Sequence, residues 1–294
     1  MMEKEFESQR PKLFGIAYRM LGIVSDVEDI LQEAYIRWHN ADKTNIQSTE
    51  AYLVTIVTRL CIDWLNKAKQ EREAYTGPWL PEPLLSQHNL THSLTPGPED
   101  HRALADTLSM AFVAMLENLT PLERAVFILR EAFDFKHKEI ADVIDKNESH
   151  CRQLDRRARD KLHYKKAQFD YEEQSHQQLL LAFVAACANG DLDKLADLLA
   201  EDVVAYSDGG GKVIAALRPL VGRERVLRFL NRTMNYAILG NEQQQNVAIE
   251  FCQVNGQQGI KISENGQTVT VLSFMFKEGR LQALHSMRNP DKLT

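Results

Sequence analysis

Six polar and basic side chains with chemistry suited to DNA recognition recur at helical spacing between positions 148 and 158. Hydroxyl, amide and guanidinium groups near the start of a helix can bind base edges, while later arginines neutralise phosphates. An ordinary solvated basic face is the alternative interpretation of the same pattern. The residues predicted to point outward are Ser149, His150, Arg152, Gln153, Arg156 and Arg157.

Two short amphipathic helices are predicted to hold these side chains. The break between them falls at Asp145 to Asn147, where Asn147 is a plausible N-cap and Glu148 favours the positive end of the following helix. To be buried, the two apolar faces must pack against each other and against a third helix. This arrangement is typical of a helix-turn-helix. The apolar positions are Ile140, Ala141 and Ile144 before the break and Cys151, Leu154 and Ala158 after it.

The helix that precedes this pair is predicted to begin after Leu119. Thr120 is the expected N-cap and Pro121 the first helical residue, a position where the missing N–H of proline costs little.

Three earlier helices are predicted over 6–21, 25–40 and 49–74. The second has Ser25 and Glu28 at the spacing of a capping box. Its apolar stripe leaves an acidic outer face, which in general is only a solvated surface. The residues of that face that we single out are Asp26, Asp29, Gln32 and Glu33.

The third of these helices begins apolar and ends polar and basic, which indicates a helix that is anchored in a core and projects a cationic end. Cationic groups beside amides can hold unstacked bases and single-stranded backbone. The polar positions along it are Arg59, Asp63, Asn66, Lys67, Lys69 and Arg72.

The net charge of −6 is unusual for a protein that binds DNA alone, because phosphate neutralisation dominates such affinity. The whole acidic excess lies before residue 174, so the DNA-reading half is expected to bind a second, protein partner. Four dispersed cysteines predict neither a disulfide framework nor a zinc site, and we expect no metal and no cofactor. With no long apolar run and no signal-peptide pattern, the sequence predicts no membrane association and a cytoplasmic location.

The order of these blocks resembles bacterial sigma factors of the extracytoplasmic-function (ECF) type. The motifs are DVEDILQEAYIRW, AYLVTIVTRLCIDWLNKAK and LTPLERAVFILREAFDFKHKEIADVI, and the similarity covers about residues 6–166. The resemblance implies that the first block, region 2, grips the polymerase clamp and opens the promoter −10 element. The second block, region 4, would read the −35 element and meet the polymerase flap.

Individual roles follow from the same resemblance. The acidic face of the second helix would contact the basic coiled coil of the largest polymerase subunit, and the six outward residues of the helix-turn-helix would contact −35 DNA. Many ECF factors have an asparagine near Arg59, so the residue that holds a flipped base is left open. The implied −10 contacts are Arg59, Asp63, Asn66, Lys67 and Lys69.

The carboxy-terminal part has helices followed by amphipathic strands with turns at Asn255-Gly256, Asn265-Gly266 and Glu278-Gly279, a pattern typical of α+β folds. It resembles the SnoaL-like, NTF2-like cone. The sequence thus predicts a multidomain chain with two all-α sigma domains followed by an α+β cone domain. The expected boundaries are 1–75 for region 2, 76–100 for a linker, 101–170 for region 4 and 174–294 for the SnoaL-like domain.

Three short tags sharpen the resemblance to one ECF subgroup that carries a fused SnoaL-like extension. In that subgroup the extension regulates activity in cis in place of a separate anti-sigma factor, and the end tag is expected to touch the linker or the first block. The tags are Trp79, Leu80, Pro81, Glu82 and Pro83; Asp208, Gly209, Gly210, Gly211 and Lys212; and Asn289, Pro290, Asp291, Lys292 and Leu293.

The sequence therefore favours a non-enzymatic transcription initiation factor whose partners are core RNA polymerase and promoter DNA. An alternative makes the cone an isomerase or cyclase, with Asp208, His285 and Tyr206 as candidates for acid–base chemistry. A cone that senses a small-molecule ligand in its pocket without turnover is the intermediate alternative.

Overall fold

The computed structural model describes residues 2–85, 108–163, 172–238 and 246–293. Contacts between Cα atoms divide the chain into two compact units. The first takes most of its described residues from Met1–Ala74 and Phe112–Lys165. The second takes most of its described residues from Tyr75–His88 and Lys166–Thr294. Each unit is described separately below.

The first unit begins with three helices that pack on one another. One side of the first helix is buried, and on it Phe14 and Tyr18 stack at a centroid distance of 6.1 Å. The buried residues on this side are Leu13, Phe14, Ala17, Tyr18 and Leu21. In the second helix Trp38 and its apolar neighbours are buried, so the predicted acidic face is the outer one. The helices are α1 (Met2–Leu21), α2 (Val24–Asn40) and α3 (Thr49–Glu73).

The start of α2 differs from the prediction. Ile23 is the residue that precedes the helix, and no side chain caps its first turn. Ser25 therefore lies inside the helix, and Glu28 instead accepts a hydrogen bond from Arg10 of α1. The predicted capping box at Ser25 is wrong because the helix begins one residue earlier, at Val24, and Glu28 pairs with Arg10 instead.

The second half of the first unit has the predicted helix-turn-helix. Thr120 and Glu123 form a capping box with Pro121 at the first position, and the Asn147 side chain accepts from the His150 N–H at 2.7 Å. Asp145 adopts the left-handed conformation that turns the chain between the two helices. The helices are α4 (Met110–Met115), α5 (Pro121–Glu131), α6 (His137–Ile144) and α7 (Glu148–Leu162), with a 3₁₀ turn at Leu116–Asn118.

The second unit has the predicted α+β fold, a six-stranded sheet with helices on one face. Its strand order is β2-β1-β6-β5-β4-β3, in which only the β1–β6 pair is parallel among the described strands. The helices are α8 (Glu173–Ala188), α9 (Leu192–Leu198) and α10 (Arg223–Ile238). The strands are β1 (Leu199–Asp208), β2 (Leu220–Val221), β3 (Val247–Val254), β4 (Gln257–Glu264), β5 (Gln267–Lys277) and β6 (Arg280–Met287).

All three predicted hairpin turns are present, and both central residues of each have positive φ. Asparagine and glycine tolerate this conformation, which suits the twist of antiparallel strands. The core of the unit lies between the helices and the sheet face that carries Ala205, Phe274 and Leu284. Because side chains alternate along a strand, Tyr206 and His285 lie on the opposite face.

Among the residues that the structure describes, no helix is both long and apolar enough to cross a bilayer.

Candidate functional site

The exposed face of α7 carries the residues predicted to read DNA. Cys151, Leu154 and Ala158 are buried on its inner side. Five of the six predicted contacts, Ser149, Arg152, Gln153, Arg156 and Arg157, are exposed, and His150 is half-buried.

Two of these arginines have intrahelical partners. Arg152 donates to Glu148 at 2.6 Å, and Arg156 lies 3.7 Å from Asp160. Exposed pairs of this kind are worth about 0–1 kcal/mol, so a phosphate can replace the carboxylate at little cost.

The outer face of α2 is acidic, as the spacing predicted. Asp29 and Gln32 are exposed, whereas Asp26 and Glu33 are half-buried. Glu33 accepts from Arg37 at 2.8 Å within the same helix. This face therefore presents carboxylates that suit a basic protein surface.

The cationic end of α3 is only partly as predicted. Arg59, Asp63, Asn66, Lys67 and Lys69 are all exposed. Arg72 is not part of this surface, because its guanidinium turns inward.

Arg72 belongs to a charge cluster that we define as Arg72, Glu117 and Arg124. Glu117 accepts from both arginines, and the two guanidiniums also donate to the carbonyl oxygens of Leu21 and Met20 at the end of α1. Burial raises the pKa of Glu117, but the two arginines outweigh it and hold the pKa below its ordinary value. The carboxylate is thus charged and joins helices from both halves of the first unit.

Arg59 also makes a contact that the sequence did not indicate. Its Nε donates to the carbonyl oxygen of Val143 at 2.7 Å, and its Nη2 donates to that of Asp142 at 3.1 Å. Both acceptors lie in the last turn of α6, where carbonyl groups lack intrahelical partners and a cation is favoured.

In the second unit, Asp208 at the end of β1 is fully buried and receives four hydrogen bonds. One oxygen accepts from the Tyr75 hydroxyl at 2.6 Å and the Gly210 N–H at 3.0 Å. The other accepts from the Leu80 N–H at 2.8 Å and from Lys292 at 2.9 Å. A buried carboxylate with this many donors is fully satisfied, which is what burial of a charge requires.

Lys292 completes the arrangement from the end tag. Its side chain is 6% exposed. The ammonium group donates to the Leu80 carbonyl at 2.6 Å and lies 4.3 Å from the Trp79 ring centroid. Asn289 donates to the Tyr75 hydroxyl at 2.9 Å. Residues of all three tags therefore meet, and we call the set Tyr75, Leu80, Asp208, Asn289 and Lys292 the linker anchor.

The glycine triplet permits this close approach. Gly210 has a φ of +61°, and a Cβ there would lie 2.5 Å from the Asn289 side chain. Gly211 has a φ of +71° and faces Thr76. Lys212 lies outside the anchor and pairs with Asp291 at the surface.

Beyond the anchor, the linker is tied a second time. The Leu84 N–H donates to the Asn255 side chain at 3.0 Å, and the Asn255 N–H donates to the Leu84 carbonyl at 2.8 Å. Leu80 and Leu84 are both buried. The segment between Tyr75 and Leu85 is thus bound along its length by the rest of the second unit.

The candidates for acid–base chemistry in the cone do not converge on its interior. Asp208 is occupied by the linker anchor, and Tyr206 and His285 stack at 5.2 Å on the sheet face away from the helices. Burial lowers the pKa of His285 to about 4, so the imidazole is neutral near pH 7. The prediction that these three residues could form a catalytic set is not supported by their placement.

Three residues of these sites were missed by the sequence analysis. Tyr75 is the last residue of the predicted region 2, Asn255 was predicted only as a turn residue, and Glu117 lies seven residues before Arg124. Only the proximity of Tyr75 to the Trp79 tag could have suggested it. Among the described residues, no group of three or more potential metal ligands occurs.

Family models match the chain in three places. They are Sigma-70 region 2 over residues 6–71, Sigma-70 region 4 over residues 109–162 and a SnoaL-like domain over residues 180–280.

Two curated relatives match along nearly the whole chain. The ECF RNA polymerase sigma factor SigJ of Mycobacterium tuberculosis is 33% identical over 100% of this chain and 94% of its own length. The probable ECF sigma factor SigI of the same organism is 30% identical over 98% of this chain and 93% of its own. The crystal structure of M. tuberculosis SigJ matches with a TM-score of 0.77 at 32% identity, covering 98% of this chain and 97% of that one.

Proposed function

Because this chain belongs to the ECF RNA polymerase sigma factors, we propose that it binds core RNA polymerase, directs it to promoters and initiates transcription in the cytoplasm. The proposal is supported by the order of the three matched segments and by the surfaces described above. An acidic helix, a polar and cationic helix end and a capped basic helix are each exposed in the first unit.

The −35 element is assigned to α7. Ser149, His150 and Gln153 would contact base edges, and the arginines that follow would neutralise phosphates. The −10 element is assigned to the exposed residues of α3, where cations stand beside Asn66 and can hold single-stranded DNA.

Polymerase binding is assigned to the outer face of α2. Its carboxylates at Asp26, Asp29 and Glu33 would face the basic coiled coil of the largest subunit, while region 4 would meet the flap. This assignment is consistent with the net negative charge of the chain, because the complex with polymerase, rather than this chain alone, would then provide the affinity for DNA.

The SnoaL-like domain is proposed to regulate activity in cis, so that no separate anti-sigma factor is needed. The observation that carries this proposal is the linker anchor. Asp208 and Lys292, both from the SnoaL-like domain, hold Leu80 of the segment that joins the two sigma regions. A regulator that holds this segment can control how the two regions are presented to polymerase.

An enzymatic role for the SnoaL-like domain is not favoured. General acid–base catalysis needs titratable groups that can reach a bound substrate. Here Asp208 is fully bonded and the pair of Tyr206 and His285 lies away from the helix-covered face. The second candidate function is a SnoaL-like domain that binds a small-molecule ligand without turnover. Turnover of a polyketide-like or steroid-like compound would instead support an enzyme.

The test of polymerase binding is co-elution of the purified full chain with bacterial core RNA polymerase. Asp29→Lys reverses one exposed charge on α2 and is expected to weaken the complex at least tenfold. Asp193→Lys, a charge reversal at an exposed residue of α9, is the matched control and should bind normally. The absence of any complex with the unmodified chain would refute the assignment.

A further inference from the structure

Helix α10 of the second unit carries a concentration of arginines that neither the sigma regions nor the linker anchor explains. Between positions 218 and 232 there are five arginines and one acidic residue, in a chain whose net charge is −6. Three of the five, Arg225, Arg228 and Arg232, lie within α10 and are exposed. Their spacing of three and four residues places them on one side of the helix. We call these three side chains the α10 stripe.

The opposite side of α10 is the one that packs in the domain. Val226 and Leu230 are buried in the core between the helices and the sheet. The α10 stripe is thus the solvent-facing side of an amphipathic helix, and solvation is the simplest explanation for charge there. Two features of the stripe are not explained by solvation alone.

The first feature is the lack of compensating carboxylates. In the first unit, an exposed helical arginine such as Arg37 pairs with an acid one turn away, here Glu33. Among the residues that the structure describes, no carboxylate lies within ion-pair distance of the α10 stripe. Arg228 donates only a long hydrogen bond, to the Glu224 backbone carbonyl at 3.4 Å. The guanidiniums of the stripe are therefore available to an external anion.

The second feature is that these positions are unfavourable for the helix itself. Arg228 and Arg232 are four residues apart, and like charges at that spacing repel each other. Arg225 lies in the first turn of α10, where the macrodipole favours an anion over a cation. A bound polyanion would convert both contributions into favourable ones. The arrangement is thus suited to an anionic partner.

The chemistry of the helix favours nucleic acid over an acidic protein as that partner. Protein interfaces are usually centred on buried apolar or aromatic side chains, and in the described part of α10 no large apolar side chain is exposed. Interfaces with DNA are polar and strongly positive, and guanidiniums form charge-assisted, often bidentate bonds with phosphate. The α10 stripe is about 10 Å long, comparable to the major-groove width of about 12 Å between phosphate backbones.

From these features we propose that the α10 stripe binds the phosphate backbone of duplex promoter DNA, as a DNA contact outside the two sigma regions. The contact is independent of base sequence, because bonds to phosphate carry no direct sequence information. This inference rests on the proposed function for the presence of promoter DNA. It adds to that function that the SnoaL-like domain contributes affinity for DNA as well as holding the linker.

The first test measures binding of the purified full chain to a short DNA duplex of arbitrary sequence, by fluorescence anisotropy over a range of salt concentrations. A triple variant, Arg225→Gln with Arg228→Gln and Arg232→Gln, removes the stripe. Each lost phosphate contact should reduce the magnitude of the salt slope by about one. The triple variant is expected to bind at least about tenfold more weakly at low salt.

The matched control removes three charges elsewhere in the same domain. Lys194→Gln, Lys277→Gln and Arg280→Gln together change the net charge by the same amount, and Lys194 and Arg280 are exposed. This control should keep the affinity and the salt slope of the unmodified chain.

A charge-preserving variant separates lost contacts from a distorted helix. Replacement of all three stripe arginines by lysine should retain most of the salt slope, because an ammonium group still neutralises a phosphate. If the triple glutamine variant fails to fold, Arg232→Gln decides the result, with an expected reduction of the slope by about one.

Binding of the same variants to core RNA polymerase distinguishes the two kinds of partner. Equal salt slopes for the triple glutamine variant and its control would overturn the inference. An effect on polymerase binding without an effect on DNA binding would also overturn it, because an acidic protein surface would then be the partner. Failure of the unmodified chain to bind polymerase would instead refute the proposed function, and the role at promoters with it, whereas the DNA titration alone decides whether the stripe binds duplex DNA.

Discussion

Lys292 and Asp208 form a salt bridge with almost no exposure to solvent. Lys292→Met would leave the Asp208 carboxylate without its cation, and breaking a buried pair from one side typically destabilises by about 3–5 kcal/mol. The prediction is checked by chemical unfolding of the full chain, following the transition of the SnoaL-like domain.

Lys212→Met is the matched control for that substitution. Lys212 also pairs with an aspartate of the end tag, but its side chain is 55% exposed and that of Asp291 is 60% exposed. The expected effect is within about 1 kcal/mol. Equal effects for the two lysines would contradict the view that the linker anchor is the energetically important contact.

Substitution of Gly210 is predicted to be unfavourable for two reasons. The backbone has a positive φ, and a Cβ at this position would collide with the Asn289 side chain. Gly210→Ala should destabilise more than Gly279→Ala, because both residues have positive φ but only the Cβ at 210 would collide with Asn289. The cost of the conformation alone is about 1–2 kcal/mol. Comparison of the two unfolding free energies separates the two effects, and similar values would show that the approach of Asn289 is unimportant.

His285 is expected to make stability depend on pH. Its pKa lies near 4 in the folded chain against an ordinary value of 6.5, so the unfolded chain binds more protons between these values. Stability therefore falls as the pH drops from about 6.5 towards 4, by up to about 3 kcal/mol. His285→Phe keeps a ring against Tyr206 and should flatten the unfolding free energy over this window. His176, whose pKa is also lowered by burial, would retain a dependence in the same direction.

At the scale of elements, some residues of α7 are predicted to contact bases and others to contact phosphates. Arg156→Ala should weaken binding to all DNA sequences by a similar factor and reduce the salt dependence, as loss of a phosphate contact does. Gln153→Ala should relax sequence choice. Binding of the holoenzyme to a panel of −35 variants at two salt concentrations distinguishes the two, and uniform loss in both variants would contradict the division.

The elements themselves were largely predictable because their signals are local. The Thr120 cap, the Asn147 cap and the three hairpin turns depend on residues within four positions of one another, and all are present. The Ser25 box failed although its spacing was correct. Glu28 lies against Arg10, eighteen residues away, and no local pattern reports such a contact.

The contacts that carry the functional proposals are long-range, and sequence alone could not place them. The order of the three tags predicted that they act together, but not that Lys292 would contact the Leu80 carbonyl from 212 positions away. Arg59 was predicted to face DNA. Its bonds to α6 span 83 and 84 positions and depend on how two separately recognisable helical blocks pack, which neither block encodes by itself.

At the scale of the whole molecule, we propose that one chain is both initiator and regulator. The sigma regions supply the surfaces for polymerase and promoter, and the SnoaL-like domain holds the segment between them. Lys292→Met should therefore change promoter-dependent RNA synthesis, whereas Lys212→Met should not.

The most direct test is transcription in vitro from a library of fragments of the source genome, using core RNA polymerase with and without the purified chain. We predict RNA from a small set of shared promoters only when the chain is present. The Lys292→Met variant should alter the yield of this RNA, and the Lys212→Met variant should preserve it. Failure of the chain to produce any additional transcript with a polymerase that it binds would contradict the central claim.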